Sequence, residues 1–100
     1  MRIITRDRTA DVPYESCIVY TDESGVKAKL YDNTFIRLGI YTEYNTADMV
    51  VQMIRTAYSN GAKVFYMPTS GIDELFKRIV VFGQKDCYTP DDGVYSRVQE

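Results

Sequence analysis

Four arginines are the side chains of this sequence best suited to bind an anion. Arg2, Arg6 and Arg8 lie close together near the start of the sequence, and Arg37 comes from the middle of the chain. A guanidinium group can hold a phosphate or a carboxylate through two hydrogen bonds at once. Together with the free amides of a helix predicted to begin at Asn45, these arginines would form a site for a small anion such as a nucleotide. The competing interpretation is a solvated surface, since acidic side chains are as frequent as basic ones in the same part of the chain.

Tyrosine is unusually frequent, with nine residues and no tryptophan. A tyrosine ring joins an apolar body to a polar tip, which suits it to binding a partner or stacking on a ligand. We assign this binding role to Tyr41 and Tyr44, which stand just before the predicted helix. Half-buried packing across a sheet is the alternative for any single tyrosine, as for Tyr20, Tyr31 and Tyr66.

Catalytic chemistry has few candidates here. The chain has no histidine, which excludes Ser-His-Asp and Cys-His centres and the common histidine-containing metal sites. The two cysteines, Cys17 and Cys87, are too few for a four-ligand zinc site, and Cys17 falls in an apolar strand where a buried thiol is expected. Asp91 and Asp92 are typical of a turn, because the spaced ligands of a calcium loop are absent. We therefore predict no catalytic residue, no metal and no cofactor.

The apolar pattern predicts a single α+β domain with the element order β-β-β-β-α-β-α. Strands are expected at residues 2–5, 17–21, 26–31, 35–41 and 63–67, and Pro13 keeps residues 12–15 at a sheet edge or in a bend. Gly25 favours a hairpin, so that about five short strands form an antiparallel meander. One helix runs from the N-cap Asn45 to Asn60–Gly61 and packs on one face of the sheet.

A second amphipathic helix is predicted between the N-cap Ser70 and a stop at Gly83. Four apolar side chains share one of its faces: Ile72, Leu75, Phe76 and Ile79. They either complete the core or form an oligomer interface or a seat for another protein, because one small sheet has limited area to cover two such helices. We therefore predict a homo-oligomer. Residues 84–100 are predicted to form a turn with a short strand, or a loosely ordered tail.

Charge and hydropathy describe a soluble protein of one domain, residues 1–100. Twelve basic against fourteen acidic side chains give a net charge of −2. Nucleic acid is therefore not expected as a partner, since a phosphate backbone binds a net basic face. The longest apolar run is far shorter than the roughly 20 residues of a membrane span, and the first residues do not resemble a signal peptide. We expect a cytoplasmic protein with no membrane partner.

Six short segments, spaced along residues 1 to 68, carry a family resemblance. They are Met1–Ile4, Asp11–Glu15, Tyr41–Thr42, Met53–Arg55, Ala57–Tyr58 and Phe65–Pro68. In this order they resemble a family of small uncharacterised proteins of Gram-positive bacteria, their phages and mobile elements. The resemblance implies an accessory protein of a phage, prophage or mobile element that binds and blocks a host component, as inhibitors of antiphage defence do. It implies no catalytic residue.

These observations favour a non-enzymatic binding protein that occupies a host protein or sequesters a small anionic ligand. One alternative is a small enzyme that processes nucleotides with carboxylates and arginines, for which Asp48, Asp91 and Asp92 are the candidates. Another is a structural accessory protein of a phage.

Overall fold

The computed structural model describes residues 1–81 and the short strand at residues 95–96. Its strands and helices, in chain order, are β1 (Arg2–Ile4), β2 (Asp11–Pro13), β3 (Cys17–Asp22), β4 (Gly25–Leu30), β5 (Phe35–Ile40), α1 (Tyr44–Ser59), β6 (Val64–Tyr66), α2 (Ile72–Phe76) and β7 (Tyr95–Ser96). A 3₁₀ turn at Tyr14–Ser16 joins β2 to β3, and a π-helical turn at Lys77–Val81 continues α2. The predicted α+β class is confirmed. None of the helices in this part of the chain is both long and apolar enough to cross a membrane.

The strands form two sheets rather than one five-stranded meander. The antiparallel meander contains β3, β4 and β5. The strand after α1 was expected to extend it, but β6 pairs in parallel with β1, in a sheet of order β2-β1-β6-β7. Ile3 and Phe65 are register partners in this sheet, and both are fully buried. A parallel pair needs a long crossover connection, which the meander and α1 together supply.

The hairpin predicted at Gly25 is present, and an irregularity follows it. Asp22 and Gly25 are register partners at the end of the β3–β4 ladder. Between β4 and β5 the register shifts, so that Leu38 falls between the paired residues Arg37 and Gly39. This is a β-bulge, which bends the strand and turns part of its backbone away from the ladder.

Helix α1 packs on the inner face of the meander, against β3 and β4. Its buried face consists of Ala47, Val50, Val51, Met53, Ile54 and Ala57. The prediction that Asn45 is the N-cap is wrong: the N-cap is Glu43, whose side chain makes no capping hydrogen bond. The predicted end at Asn60–Gly61 is confirmed. Gly61 adopts φ 85°, and the Ala62 amide donates to the Ala57 carbonyl at 3.0 Å, the pattern of a Schellman cap.

The predicted second helix is present as α2 and the π-helical turn at Lys77–Val81 that continues it. It begins after Gly71, which has the left-handed φ of 63°, so the expected N-cap at Ser70 is wrong. Leu75 and Ile79 are buried on the side that faces α1. The predicted stop at Gly83, and the predicted tail apart from β7, lie outside the described residues.

Candidate functional site

A groove of about 490 Å³ lies where the two sheets meet. Its lining consists of Arg6, Asp7, Arg37, Leu38, Gly39, Ile40 and Thr69. Strand β5 forms one side, the loop after β1 forms another, and the segment before α2 contributes Thr69. A cleft of this volume is in the range that holds small ligands.

The bulge in β5 connects the two sheets at this groove. The Leu38 carbonyl accepts a hydrogen bond of 2.8 Å from the backbone amide of Arg6. On the far side of β1, the Ile4 carbonyl accepts a bond of 3.0 Å from the Met67 amide. The end of β1 is therefore fixed to β5 as well as to the segment after β6. Bulges are frequent next to binding sites because they redirect backbone and side chains in this way.

Arg6 is held in place by three contacts. Its Nη1 donates to the Ile40 carbonyl, and its Nη2 donates to the Thr69 carbonyl at 3.1 Å. The guanidinium carbon lies 5.0 Å from the centroid of the Tyr41 ring. These carbonyls are neutral, so they position the guanidinium without cancelling its charge.

Arg37 brings a second guanidinium to the same groove from the other side. It is exposed, and its Nη1 donates to the Ser24 hydroxyl at 2.5 Å. A hydroxyl is again a neutral partner. The structure therefore places Arg37 with Arg6, although 30 residues separate them in the sequence.

Asp7 is the acidic residue of the groove. Its Oδ1 accepts hydrogen bonds from the hydroxyls of Thr5 at 2.8 Å and Thr9 at 2.7 Å, and from the Thr9 amide at 3.1 Å. The hydrogen bonds from Thr9 and then Thr5 hold the pKa of Asp7 below its usual value. Asp7 is therefore ionised at neutral pH, and two guanidinium groups against one carboxylate leave the groove cationic.

The other two candidate arginines lie outside this groove. Arg2 forms an ion pair with Asp11 on the neighbouring strand. Arg8 donates to the Met67 carbonyl at 3.2 Å, and its guanidinium lies 5.1 Å from the centroid of the Tyr66 ring. The predicted group of four arginines is thus divided among three places.

Tyr41 belongs to the core, although it also lines a smaller groove together with Arg6. Only 4% of the residue is exposed, and its hydroxyl donates to the Pro68 carbonyl at 2.7 Å. Burial raises the pKa of Tyr41 above its usual value, despite the nearby cations of Arg6 and Arg8. Tyr41 therefore supports Arg6 instead of presenting its ring to a ligand. The side chain of Tyr44 lies outside the described part of the structure.

A smaller groove of about 380 Å³ reaches from Arg6 to the start of α1. Glu43 and Thr46 line its helical end, and the Thr46 hydroxyl donates to the Glu43 carboxylate at 3.5 Å. The sequence predicted that helix amides would join the arginines around an anion. Of the four predicted arginines, only Arg6 lines this groove. The Glu43 carboxylate lies at the start of the helix, where it would repel an anion, so this groove is the weaker candidate.

The residues predicted for an oligomer interface divide into two pairs. Leu75 and Ile79 are buried in the core of the single chain, which favours the competing interpretation, core packing, for both. Ile72 and Phe76 are half-buried and pack against that core.

The outer face of the meander is a surface that sequence reasoning did not identify. We define the meander face by Ile18, Tyr20, Lys27, Lys29, Phe35 and Arg37, which the register places in two cross-strand rows. Lys29 lies between Ile18 and Phe35 in one row, and Lys27 lies between Tyr20 and Arg37 in the other. Both lysines are half-buried in these rows. The sequence did not predict that Tyr20 and Phe35 meet across the central strand, with ring centroids 6.3 Å apart.

Of the three carboxylates proposed for an enzyme, Asp48 is the one that lies among the described residues. Asp48 is exposed on α1, where it accepts a hydrogen bond of 3.1 Å from Gln52. Asp91 and Asp92 lie outside the described residues. Among residues 1–81, no group of three or more His, Cys, Asp or Glu stands close enough to hold a metal ion. Burial raises the pKa of the half-buried Cys17 thiol, which makes it a poor nucleophile.

No protein-family model, curated protein or solved structure matches this chain. The groove and the surfaces themselves therefore indicate what the chain can bind.

Proposed function

We propose that this protein is a non-enzymatic binding protein that takes up a small anionic ligand in the groove between Arg6 and Arg37. The observation that carries this proposal is that two guanidinium groups from distant parts of the chain line one groove with an apolar strand. Arg37 is exposed at this groove, and 53% of Ile40 is exposed beside it. Such a groove suits one anionic group attached to an apolar or flat body.

Asp7 narrows the class of ligand. An ionised carboxylate in the groove repels a densely charged anion such as a polyphosphate, but it accepts hydrogen bonds from ligand hydroxyls. A nucleoside monophosphate combines one phosphate, ribose hydroxyls and a flat base, and is therefore the preferred class. The lowered pKa of Asp7 suits binding rather than proton transfer, which works best with a pKa near the operating pH.

The biological role that we propose rests on the sequence segments of residues 1 to 68 that resemble proteins of phages and mobile elements, and not on the groove. On this proposal the protein acts in the host cytoplasm as an accessory protein that blocks a defence component by sequestering its small anionic ligand. We also expect a homo-oligomer, to which the half-buried Ile72 and Phe76 would contribute.

The proposal is tested by an NMR titration of the ¹⁵N-labelled protein with AMP, with adenosine and with inorganic phosphate as separate probes. We expect AMP to shift the amides of Leu38, Gly39 and Ile40 more than either fragment does. Arg37→Gln should weaken AMP binding about tenfold, because a charge-assisted hydrogen bond is lost. Arg55→Gln, which removes an exposed arginine on α1, is the matched control and should leave the affinity unchanged.

Arg37→Lys separates charge from geometry, because a lysine keeps the charge but loses the planar fork; we expect an affinity between those of wild type and Arg37→Gln. Shifts confined to other surfaces, or none at millimolar AMP, would contradict the groove as the site. Release of phosphate or adenine during the titration would contradict the non-enzymatic part of the proposal.

A further inference from the structure

The meander face combines aromatic rings with positive charge. The Tyr20 and Phe35 rings approach edge to face from the two outer strands, with an angle of 78° between their planes. The Lys29 ammonium lies 5.9 Å from the centroid of the Phe35 ring. Phe35 is 54% exposed and Ile18 is 64% exposed, so this face is open in the described part of the chain.

Two of the three cations on this face form no ion pair among the described residues. Lys27 is neutralised by Asp22, whose carboxylate lies 2.8 Å from its ammonium. Among the described residues, Lys29 contacts the Phe35 ring and Arg37 contacts the Ser24 hydroxyl, neither of which carries a charge.

We infer that the meander face binds single-stranded nucleic acid. A sheet face that presents aromatic rings beside lysine and arginine can stack unpaired bases on the rings and pair phosphates with the cations. A second copy of the chain would bring like charges together across a two-fold interface, which disfavours self-association through this face. An acidic peptide would use the cations but not the stacking capacity of the rings.

The net charge of −2 led to the opposite expectation, and the distribution of the charges is the reason to revise it. Asp11 lies in β2, in the other sheet, and Asp48 lies on α1, which packs on the inner face of the meander. Two carboxylates lie near the meander face itself: Asp22 pairs with Lys27, and Glu15 lines a hollow at the edge of the face with Ile18 and Lys29. Lys29 and Arg37 form no ion pair among the described residues, and they place two cations beside the exposed rings in a chain that is acidic as a whole.

The experiment measures fluorescence anisotropy of labelled oligothymidylate and oligouridylate of about ten nucleotides, a length within the usual site sizes. Both should bind, and the affinity should fall as salt increases, with a log–log slope of about −1 to −2 for two phosphate contacts. Phe35→Leu keeps an apolar side chain but removes the ring, and should weaken binding about 5- to 150-fold. Phe35→Trp should retain or strengthen it.

Lys29→Gln provides a second variant that leaves the ring in place. It should weaken binding and reduce the salt slope by about 1. Lys63→Gln removes an exposed lysine just before β6 and is the matched control, for which no change is expected. Circular dichroism of each variant verifies that the fold is retained.

Three outcomes would overturn the inference. The first is no binding at about 100 µM protein in low salt, the weak end of non-specific affinity. The second is binding that Phe35→Leu leaves unchanged, which would indicate electrostatic binding without base stacking. The third is equal, Phe35-dependent binding of polyglutamate, which would assign the face to an acidic protein partner. Arg37 belongs to both the groove and the meander face, whereas Arg6 lines only the groove. Arg6→Gln therefore separates the two proposals: it should weaken AMP binding and leave oligonucleotide binding intact.

Discussion

At the scale of single residues, Tyr41 links the core to the groove. Its ring packs over Gly39, where an added Cβ would lie only 2.7 Å from the ring. The glycine therefore leaves room for an aromatic side chain two residues further along the chain. The ring in turn faces the guanidinium of Arg6, and its hydroxyl holds the Pro68 carbonyl. One buried side chain thus fixes the position of a groove cation.

Tyr41→Phe should lower the free energy of unfolding by about 1–3 kcal/mol at pH 7, because a buried hydrogen bond is lost and the Pro68 carbonyl is left without its partner. Urea unfolding followed by circular dichroism measures this loss. Tyr58→Phe, at a tyrosine that is 45% exposed on α1, is the matched control and should change stability by less than about 0.5 kcal/mol.

The same variant tests the pH dependence of stability. Burial raises the folded-state pKa of Tyr41 above the usual value of 10.0, so the unfolded chain loses this proton first as the pH rises. The stabilisation from Tyr41 is therefore complete below pH 10 and is lost above it. Wild type should lose more stability than Tyr41→Phe between pH 9 and pH 11. Parallel stability curves for the two proteins would contradict this assignment.

At the scale of elements, the sequence predicted which segments form strands and helices in most cases, but it did not predict which strands pair with each other. Gly25 and the Asn60–Gly61 end of α1 are local signals, and both predictions were confirmed. Strand β6 has three apolar or aromatic residues and no alternation, so nothing local distinguishes an extra meander strand from a parallel partner of β1. Its position depends on long-range burial of Phe65 with Ile3.

The candidate sites, too, depend on long-range contacts that the local sequence does not determine. The residue types pointed to four arginines, Arg2, Arg6, Arg8 and Arg37, and the structure brings only Arg6 and Arg37 together in one groove. The sequence did not reveal the meander face, because the meeting of Tyr20 and Phe35 depends on cross-strand register. A shift of one residue in that register would place one of the rings on the opposite face of the sheet.

Gly25→Ala tests the junction between the hairpin and the bulged strand. Gly25 has φ 146°, and an added Cβ would lie 2.1 Å from the Gly39 carbonyl oxygen and 2.9 Å from the Tyr41 amide. Because both contacts are backbone atoms, we expect a loss of about 3 kcal/mol or more in thermal or urea unfolding. Gly71→Ala is the control, with a left-handed φ of 63° but open space around it, and should cost only about 1–2 kcal/mol. Equal losses would mean that backbone strain, and not the contact with β5, sets the cost.

At the scale of the whole molecule, the two sheets meet through the loop after β1. The Arg6 amide donates to Leu38 of the meander, and its guanidinium donates to the carbonyls of Ile40 and Thr69. A ligand in the groove would contact these same segments. Ligand binding and the docking of the two sheets should therefore be coupled.

Arg6→Gln tests this coupling. The variant keeps the backbone bond to Leu38 but loses the guanidinium contacts, so the free energy of unfolding should fall by about 1 kcal/mol after allowance for exposure. Amide hydrogen exchange should accelerate near Ile40 and Thr69 while the β3–β4 ladder keeps its protection. Arg55→Gln is the matched control.

In wild type, saturating AMP should slow exchange at the positions that Arg6→Gln accelerates. Unchanged exchange in Arg6→Gln would show that backbone bonds alone hold the sheets together, and would remove the proposed coupling between the groove and their docking.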